Sequence, residues 1–203
     1  MPEIAHGWGV LGLVAVMGYL LGSIPFGLVI TRALGLGDVR KIGSGNIGAT
    51  NVLRTGNRGA AAATLILDAA KGAVAVLIGR AALGEDAAQL AGLFAFLGHI
   101  FPVYLGFKGG KGVATFLGIL LALSWPVGLA ACATWLVVAV LLRISSVAAL
   151  MSAALSSLWL LPAGQGHMFF LVVVLTVLIY LRHWPNIMRL KAGTEPKIGQ
   201  KKA

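Results

Sequence analysis

Long apolar blocks alternate with short polar loops along this chain. The blocks cover about residues 8–31, 59–79, 87–107, 112–142, 144–161 and 167–182. Blocks of about twenty residues match the length of a helix that crosses a bilayer, and the ten-residue alternation typical of barrel strands is absent from the sequence. Because a spanning segment must satisfy its backbone groups internally, the pattern predicts an all-α integral membrane protein.

The fourth block is too long for one crossing. A helix over residues 112–142 would extend about 46 Å at ~1.5 Å per residue, against a hydrocarbon core of roughly 30 Å. The block contains the stretch Ser124-Trp125-Pro126, and a proline inside a helix removes a hydrogen bond. We therefore predict two short spans, 112–123 and 126–142, interrupted at Pro126, and about seven transmembrane helices in total.

The basic residues predict the orientation. With seven crossings, every Lys and Arg except Lys71 and Arg80 falls on one side, including Lys201 and Lys202 at the C-terminus. Lys and Arg accumulate on the cytoplasmic side of membrane proteins, so we expect the N-terminus outside and the C-terminus in the cytoplasm. The net charge of +10 is then explained by orientation and by attraction to anionic membrane lipid, and it does not indicate a nucleic-acid partner.

The composition favours one helical transmembrane domain over residues 1–203. Hydrophobic residues make up 59% of the chain and charged residues 11%, with a mean hydropathy of +0.93. In the predicted topology, three unusual polar loops, at 41–59, 98–115 and 182–199, all lie on the cytoplasmic side. We expect them to converge on one face, and the sequence leaves the oligomeric state open.

The first loop, KIGSGNIGATNVLRTGNRG, is rich in glycine, amides and cations. Ser44, Asn46 and Asn51 supply hydroxyl and amide groups, and Arg54 offers a planar fork suited to phosphate. We assign Asn46, Gly48 and Asn51 to substrate binding. Turn formation and helix capping are the alternative for such residues, and Thr-Gly-Asn at 55–57 is the expected start of the second span.

The second loop contains FKGGKGVAT, Phe107–Thr115, directly before a short span. Glycines allow backbone N–H groups to point into a concavity, and such concavities bind anions, especially ahead of a helix. The composition favours a phosphate site, with a flexible basic turn as the alternative. It is not a Walker loop, because Gly112 and not Ser or Thr follows Lys111.

The third loop offers His183, Asn186, Arg189 and Glu195. His183 and Asn186 share a face if the last span continues for a turn past Pro185. A histidine that anchors the chain at the membrane boundary is the alternative. No two histidines, and no histidine with an acid, have a helical ligand spacing, so we expect no metal and no cofactor.

The second span contains two charged residues, Asp68 and Lys71, three positions apart. Charges inside a bilayer are expensive, so we expect the two to pair and to face the helix bundle, as structural residues rather than as a site. The chain has no G-x-S-x-G elbow and no usable cysteine nucleophile, which argues against a serine or cysteine hydrolase. Neither His99 nor His183 begins an H-x-x-x-x-D motif.

Three stretches together resemble one family. GSGNIGATNVLR (43–54), GHIFPVYLGFKGGKGVAT (98–115) and HWPNIMRLKAGTEPKIG (183–199) are similar, in order and spacing, to the motifs of the bacterial acyl-phosphate:glycerol-3-phosphate acyltransferases. The resemblance covers about residues 10–199. It implies a seven-span enzyme of the bacterial cytoplasmic (inner) membrane, with its active site on the cytoplasmic side. The implied substrates are sn-glycerol 3-phosphate and a long-chain acyl phosphate, and the product is lysophosphatidic acid.

The resemblance also carries roles for individual residues. It implies catalytic roles for Ser44, Arg54, His183 and Asn186. Glycerol 3-phosphate binding is implied for the second motif, at Lys108, Gly109, Gly110, Lys111 and Gly112. Glu195 matches a position thought mainly structural. Ser145 and Ser146 are candidates for holding the acyl phosphate, with helix capping as the alternative explanation of both.

The expected chemistry needs little catalytic machinery. Two phosphates must be held close together by Lys, Arg and backbone N–H groups, and acyl phosphate is already activated. We expect the departing phosphate, or a water near it, to take the proton, while His183 orients the acceptor. The alternative function is a transporter or exchanger of a phosphorylated metabolite, because interrupted helices occur in transporters too. A non-catalytic membrane scaffold leaves the cationic glycine loops unexplained.

Overall fold

The computed structural model describes residues 2–199, which form helices joined by loops and short turns, with no strand among them. The all-α prediction is confirmed for this part of the chain. Lys201 and Lys202, used in the orientation argument, lie outside the described residues. Two compact units are present, Pro2–Leu123 and residues 124–199, and each is described by itself below. The single-domain interpretation stays a prediction.

The N-terminal unit carries the first two motifs. Its helices are α1 (Trp8–Gly22), α2 (Phe26–Ala33), α3 (Ala49–Val52), α4 (Arg58–Leu83), α5 (Glu85–Ile100) and α6 (Val113–Leu123). Single 3-10 turns lie at Val39–Lys41, Leu53–Thr55 and Val103–Leu105. Asn57 caps α4 by accepting a hydrogen bond from the Ala60 N–H (2.9 Å), so the predicted helix start at 55–57 is confirmed.

The C-terminal unit carries the third motif. Its helices are α7 (Trp125–Leu142), α8 (Ser145–Trp159), α9 (Phe169–Arg182) and α10 (Trp184–Lys191), with a 3-10 turn at Gly166–Met168. Hydrogen bonds between helices stabilise it: the Ser152 hydroxyl donates to the Ala131 carbonyl (2.7 Å) and the Thr176 hydroxyl to the Ala153 carbonyl (2.9 Å). Such polar contacts are a usual means of joining helices where lipid provides no hydrophobic drive.

Four helical segments are long and apolar enough to cross a membrane: Trp8–Ala33, Arg58–Leu83, Glu85–Leu105 and Trp125–Leu142. A fifth results if Gly166–Arg182 and Trp184–Lys191, bent by 59°, count as one broken span. Val113–Leu123 and Ser145–Trp159 are shorter apolar helices. These seven segments coincide with the predicted blocks, while seven crossings and the orientation of the termini stay predictions.

The predicted interruption of the fourth block is present. α6 ends at Leu123, Ser124 is the N-cap of α7, and Pro126 lies in the first turn of α7, where its missing N–H costs nothing. Arg80 supports the end of α6 by donating to the carbonyls of Ala122 (2.6 Å) and Leu123 (3.1 Å), which have no partner within the helix.

The first block also contains a break, which the sequence analysis missed. α1 ends at Gly22 and α2 begins at Phe26, after Pro25. The carbonyl of Ile24, left outside both helices, accepts a hydrogen bond from the Lys71 ammonium (2.8 Å). A partner 47 positions away in the sequence thus satisfies this carbonyl.

Small residues allow the N-terminal helices to pack closely. A Cβ on Gly22 of α1 would collide with the backbone of Ala95 in α5, and one on Gly118 of α6 would collide with the backbone of Ala69 in α4. Close approach through glycine and alanine is typical of membrane helices. The first motif rests on an apolar cluster formed by Leu28, Val39, Ile47, Val52, Ala60 and Ala61.

Candidate active site

The first loop is organised around the side chain of Asn51, which is 2% exposed. Its Nδ2 donates to the carbonyls of Val39 (2.8 Å), Ile42 (3.1 Å) and Asn46 (2.8 Å), and its Oδ1 accepts from the Ser44 N–H (3.1 Å). The amide is therefore occupied by the backbone of its own loop. We assign Asn51 to the loop's architecture and not to direct substrate contact.

The Arg54 side chain lies against Gly43, the residue that precedes Ser44. Gly43 has φ +53°, and a Cβ there would collide with the Arg54 side chain and with Asn51 Oδ1, so the guanidinium lies against the backbone just before Ser44. Both Ser44 and Arg54 are exposed. The Ser44 hydroxyl accepts the Asn46 N–H at 3.4 Å, and Asn46 Oδ1 accepts the Ile47 N–H at 3.0 Å. Gly48 is the N-cap of α3. The loop thus carries an exposed hydroxyl at Ser44 and an exposed guanidinium packed on the preceding Gly43, a combination suited to phosphate.

The glycines of the second loop lie on the last turn of α5. The Gly110 N–H donates to the His99 carbonyl (3.1 Å). A Cβ on Gly109 would collide with that carbonyl, one on Gly110 with the His99 ring, and one on Gly112, at φ +86°, with the Phe96 ring. Glycine is required here because the chain packs closely on α5, a reason that composition alone did not reveal.

The second loop leads directly into α6. Gly112 precedes Val113, the first residue of the helix, and Gly112 is buried whereas Lys108 is exposed and Lys111 half-buried. The first N–H groups of a helix have no partner within it, and the helix dipole favours negative charge there. Two lysines flanking a glycine pair at a helix start are thus arranged as the phosphate interpretation requires.

A buried cluster lies behind this loop. Lys71 Nζ and Asp68 Oδ1 are 2.8 Å apart, and His99 Nδ1 lies 3.6 Å from the same carboxylate oxygen. All three residues are less than 5% exposed. The predicted pairing of Asp68 with Lys71 is therefore present. His99 is a third member that the sequence analysis missed, although it lies within the second motif.

The third motif begins at a bend and not on a continuous helix. His183 ends α9 and caps α10, and the two helices differ in direction by 59°. Pro185 cannot donate the hydrogen bond that would continue α9, so the condition of a last span that continues past Pro185 is not met. His183 and Asn186 nevertheless lie within one turn, because the Asn186 N–H donates to the His183 carbonyl (2.8 Å). Both side chains are buried.

The carboxylate of Glu195 gathers three donors in the C-terminal unit. Its Oε1 accepts from Asn186 Nδ2 (2.5 Å) and from the Ser146 hydroxyl (2.7 Å), and its Oε2 accepts from Arg189 Nε (2.7 Å). Burial raises the pKa of this carboxyl, but the hydrogen bonds from Asn186, Ser146 and Arg189 outweigh it and hold the pKa below its usual range. Glu195 is thus an ionised organising residue, in line with the structural role implied by the resemblance.

Ser145 and Ser146 begin α8 but neither is its N-cap. Ile144 occupies that position and provides no side-chain cap. Helix capping therefore does not explain these serines. The Ser146 proton is used in the hydrogen bond to Glu195.

The ring of His183 is oriented by a backbone carbonyl. His183 Nδ1 lies 2.8 Å from the Ile179 carbonyl oxygen. A carbonyl only accepts, so Nδ1 carries the proton, and in a neutral ring Nε2 is the acceptor.

Within residues 2–199, no group of three His, Cys, Asp or Glu side chains is placed to hold a metal ion.

Comparison with known proteins agrees with these motifs. The sequence profile of a family described as glycerol-3-phosphate acyltransferase matches residues 12–193. The chain belongs to the glycerol-3-phosphate acyltransferase family. Proteins named glycerol-3-phosphate acyltransferase from Cereibacter sphaeroides (strain ATCC 17025 / ATH 2.4.3) and Ruegeria pomeroyi are similar to it. The first is 67% identical over 99% of this chain and 96% of its own, and the second is 66% identical over the full length of both.

Solved structures of an acyltransferase of this family share the fold. Crystal structures of PlsY (YgiH), an integral membrane glycerol 3-phosphate acyltransferase, in its glycerol 3-phosphate form and its lysophosphatidic acid form, each align with a TM-score of 0.88. Each is 39% identical and covers 94% of this chain and 96% of its own. The resemblance inferred from the three motifs is confirmed, and the chain has the integral membrane fold of this acyltransferase family.

Proposed function

We propose that the protein transfers the acyl chain of a long-chain acyl phosphate to the 1-hydroxyl of sn-glycerol 3-phosphate, giving lysophosphatidic acid and phosphate. The observation that carries this proposal is the similarity to PlsY, whose solved structures include a glycerol 3-phosphate form and a lysophosphatidic acid form. These are the acceptor and the product of the proposed reaction. Acyl phosphate as the donor rests on the motif resemblance.

The N-terminal unit supplies the phosphate-binding groups in this proposal. The loop Lys108–Gly112 binds the phosphate of sn-glycerol 3-phosphate with its lysines and the start of α6, and Arg54 and Ser44 bind the other phosphate with a planar guanidinium and a hydroxyl. Two dianions repel each other, so fixed positive groups are the main requirement for bringing them together. Asn46 and Gly48 belong to the first of these loops, and Asn51 holds it in shape.

The reaction itself follows from the activated donor. The 1-hydroxyl oxygen attacks the carbonyl carbon of the acyl phosphate, the bond from that carbon to the phosphate oxygen breaks, and the hydroxyl proton ends on the released phosphate. Before the attack His183 orients the hydroxyl by accepting its hydrogen bond at Nε2, and the hydroxyl proton then turns from Nε2 to the departing phosphate oxygen. Positioning of this kind supplies much of the rate when the leaving group is already good. Glu195 fixes the side chain of Asn186 within one turn of His183. Ser145 remains the candidate for contact with the donor phosphate.

The acyl chain needs an apolar path. An apolar groove of about 400 Å³ in the C-terminal unit is lined by Ala130, Ala133, Thr134, Val137, Val138, Leu155 and Trp159. Leu155 is ten residues beyond Ser145 on α8, roughly 15 Å at 1.5 Å per residue. A long acyl chain whose phosphate lies at the start of α8 spans that distance, so we assign this groove to the chain.

We further propose seven crossings of the bacterial cytoplasmic membrane, with the N-terminus outside and the three motifs on the cytoplasmic side. The distribution of Lys and Arg supports this orientation. Both substrates are then taken up from the cytoplasm or from its adjoining leaflet.

The test is phosphate release from palmitoyl phosphate by the purified protein, with and without sn-glycerol 3-phosphate. We expect phosphate and lysophosphatidic acid in equal amounts, only when the acceptor is present. Arg54→Ala is expected to abolish release. Arg58→Ala is the matched control, because Arg58 is also exposed but begins α4, away from Gly43.

Two outcomes would contradict the proposal. Equal loss in Arg54→Ala and Arg58→Ala would mean that the effect is one of net charge alone. Labelled glycerol 3-phosphate that accumulates unchanged inside vesicles, with no new lipid, would favour the transporter. For His183, we expect His183→Gln to retain substantial turnover, since an amide also orients a hydroxyl; complete loss with intact substrate binding would make His183 a required base.

A further inference from the structure

The buried histidine of the second motif touches the glycine-rich loop at two places. Its carbonyl accepts the Gly110 N–H at 3.1 Å, and its ring, at Nε2, lies against the Cα of Gly110 so closely that a Cβ there would collide with it. Gly109 packs on the same carbonyl. The path of the chain from Gly109 to Lys111 therefore follows the position of His99.

The position of His99 is in turn fixed from the opposite side. Its Nδ1 faces Asp68 Oδ1 at 3.6 Å, and the same oxygen pairs with Lys71 Nζ at 2.8 Å. Lys71 also donates to the Ile24 carbonyl at the break between α1 and α2, and its ammonium lies 5.8 Å from the centre of the Phe26 ring. The Thr115 hydroxyl, in the first turn of α6, donates to the Asp68 carbonyl (2.9 Å). The cluster thus joins the helices on both sides of the loop.

Stability alone is a weak explanation for this arrangement. Removing two charges and a histidine from water costs free energy that their mutual attraction often fails to recover, and well-packed apolar residues are commonly as stable or more so. Small residues already hold α4, α5 and α6 together along their length. This buried ionic cluster contacts the last turn of α5 and the first turn of α6, between which the loop runs, and that position indicates a task at the loop.

We propose that His99, held by the Asp68–Lys71 pair, is a positioning residue that sets the backbone of Gly109–Lys111 for the phosphate of the acceptor. This inference rests on the proposed function, in which that loop binds sn-glycerol 3-phosphate. His99 does not touch the substrate in this role. It acts by fixing the path of the loop that carries Lys111 into α6, and the Gly110 N–H is itself used in the hydrogen bond to the His99 carbonyl.

The test separates the two substrates. In His99→Leu we expect the KM for glycerol 3-phosphate to rise about 10-fold, the size of one misplaced hydrogen bond to a charged group, and the KM for palmitoyl phosphate to change less than about 2-fold. His99→Gln puts an amide near the position of Nε2 and should recover most of the affinity. The double variant Asp68→Asn with Lys71→Met leaves no unpaired charge, and should behave like His99→Leu while remaining folded.

Arg80→Met is the control for a purely structural effect. Arg80 lies on the same helix, α4, and supports the other end of α6 through the Ala122 and Leu123 carbonyls. We expect it to lower the unfolding temperature at least as much as His99→Leu while leaving the KM for glycerol 3-phosphate unchanged. Two results would overturn the proposal. One is that the KM for glycerol 3-phosphate and the KM for palmitoyl phosphate rise together in both His99→Leu and Arg80→Met. The other is that the KM for glycerol 3-phosphate is unchanged in His99→Leu.

Direct binding distinguishes this inference from the proposed function. Calorimetric titration with glycerol 3-phosphate does not depend on transfer, so a wild-type protein that binds but forms no lipid would contradict the proposed reaction and still test His99. The dissociation constant should then rise about 10-fold in His99→Leu. A wild-type protein that does not bind glycerol 3-phosphate would overturn both.

Discussion

The first-motif loop, residues 39–51, and the third-motif segment, residues 183–195, are each held by one side chain, and the two side chains differ in charge. Asn51 holds the first through a neutral amide that donates to three carbonyls and accepts one N–H. Glu195 holds the second through a carboxylate that accepts from three side chains. An amide organises the backbone around it, because it both donates and accepts. A carboxylate can only accept, and the three donors named here to Glu195 are all side chains.

The difference decides how each region fails. Replacing the amide takes one donor away from three carbonyls at once, and hydrogen bonds lost in a buried site are costly. The donors around Glu195 belong to side chains, of which Arg189 is partly exposed and finds water when released. The amide-held loop should therefore be the more sensitive to substitution, and the carboxylate-held segment the more sensitive to pH.

The largest effect is expected from Asn51→Asp. The change conserves shape and the contact with the Ser44 N–H, but it removes the Nδ2 donor to the carbonyls of Val39, Ile42 and Asn46 and points negative charge at them. We expect a loss of about 3 kcal/mol or more in stability and no detectable transfer. Thermal unfolding in detergent and hydrogen exchange over residues 39–51 measure it.

Asn46→Asp is the control for Asn51→Asp. Asn46 is half-buried, and an aspartate there keeps the acceptor for the Ile47 N–H. We expect it to cost less than about 1 kcal/mol. Equal losses in the two variants would show that added negative charge, and not lost donors, is responsible.

The second effect is at Glu195. Glu195→Ala removes the acceptor of Asn186, Ser146 and Arg189 together, and we expect a loss of about 2 kcal/mol with a roughly 10-fold to 100-fold fall in kcat, because Asn186 is no longer fixed beside His183. Glu195→Gln keeps an oxygen that accepts from Asn186 and Ser146, so its stability and its kcat should both lie between those of Glu195→Ala and of the wild type. Loss in Glu195→Gln as large as in Glu195→Ala would mean that the negative charge itself is needed.

The sequence predicted the helices and the motif residues better than it predicted their partners. The break at Pro126 followed from the length of its apolar block, whereas the break before Phe26 lay in a block short enough for one span. Nothing local to Ile24 indicates that Lys71 would donate a hydrogen bond to its carbonyl. Hydropathy and turn chemistry are local properties, so they locate elements but not tertiary contacts.

The same limit applies to the site. A glycine- and amide-rich loop next to cations indicated phosphate binding, but composition does not distinguish an amide that faces a ligand from one that, like Asn51, faces its own backbone. His99 was missed because a single histidine in an apolar stretch is typical of many structures. Its significance arises only when Asp68, 31 positions earlier, is found beside it.

The third effect is a pH dependence confined to the carboxylate-held segment. The Glu195 pKa is lowered in the folded protein, so its ionised form contributes stability that is complete above the usual carboxyl pKa of about 4.3 and is lost as the pH falls through the lowered value. Relative to the intrinsic exchange rate at each pH, hydrogen exchange over residues 183–199 should therefore accelerate in acid, whereas exchange over residues 42–51 should show no such change.

Two details sharpen the pH experiment. Restricting the reference region to residues 42–51 excludes Asp38, whose carboxyl pKa is also lowered, by its hydrogen bonds with Arg40. In Glu195→Gln the acid-induced acceleration should disappear. Its persistence in that variant would assign the effect to another group and remove the contrast between the two regions.

The smallest effect is expected at Arg189. Its Nε donates to Glu195 Oε2, but its side chain is 39% exposed, and a pair open to water contributes less than about 1 kcal/mol. Arg189→Ala leaves Asn186 and Ser146 on the other carboxylate oxygen, so unfolding temperature and kcat should both stay close to the wild type. Arg189→Lys should differ still less. A fall in kcat in Arg189→Ala as large as in Glu195→Ala, with no change in unfolding temperature, would instead mean that Arg189 acts on the substrate. Glu195 would then position the Arg189 guanidinium for the reaction as well as the Asn186 amide.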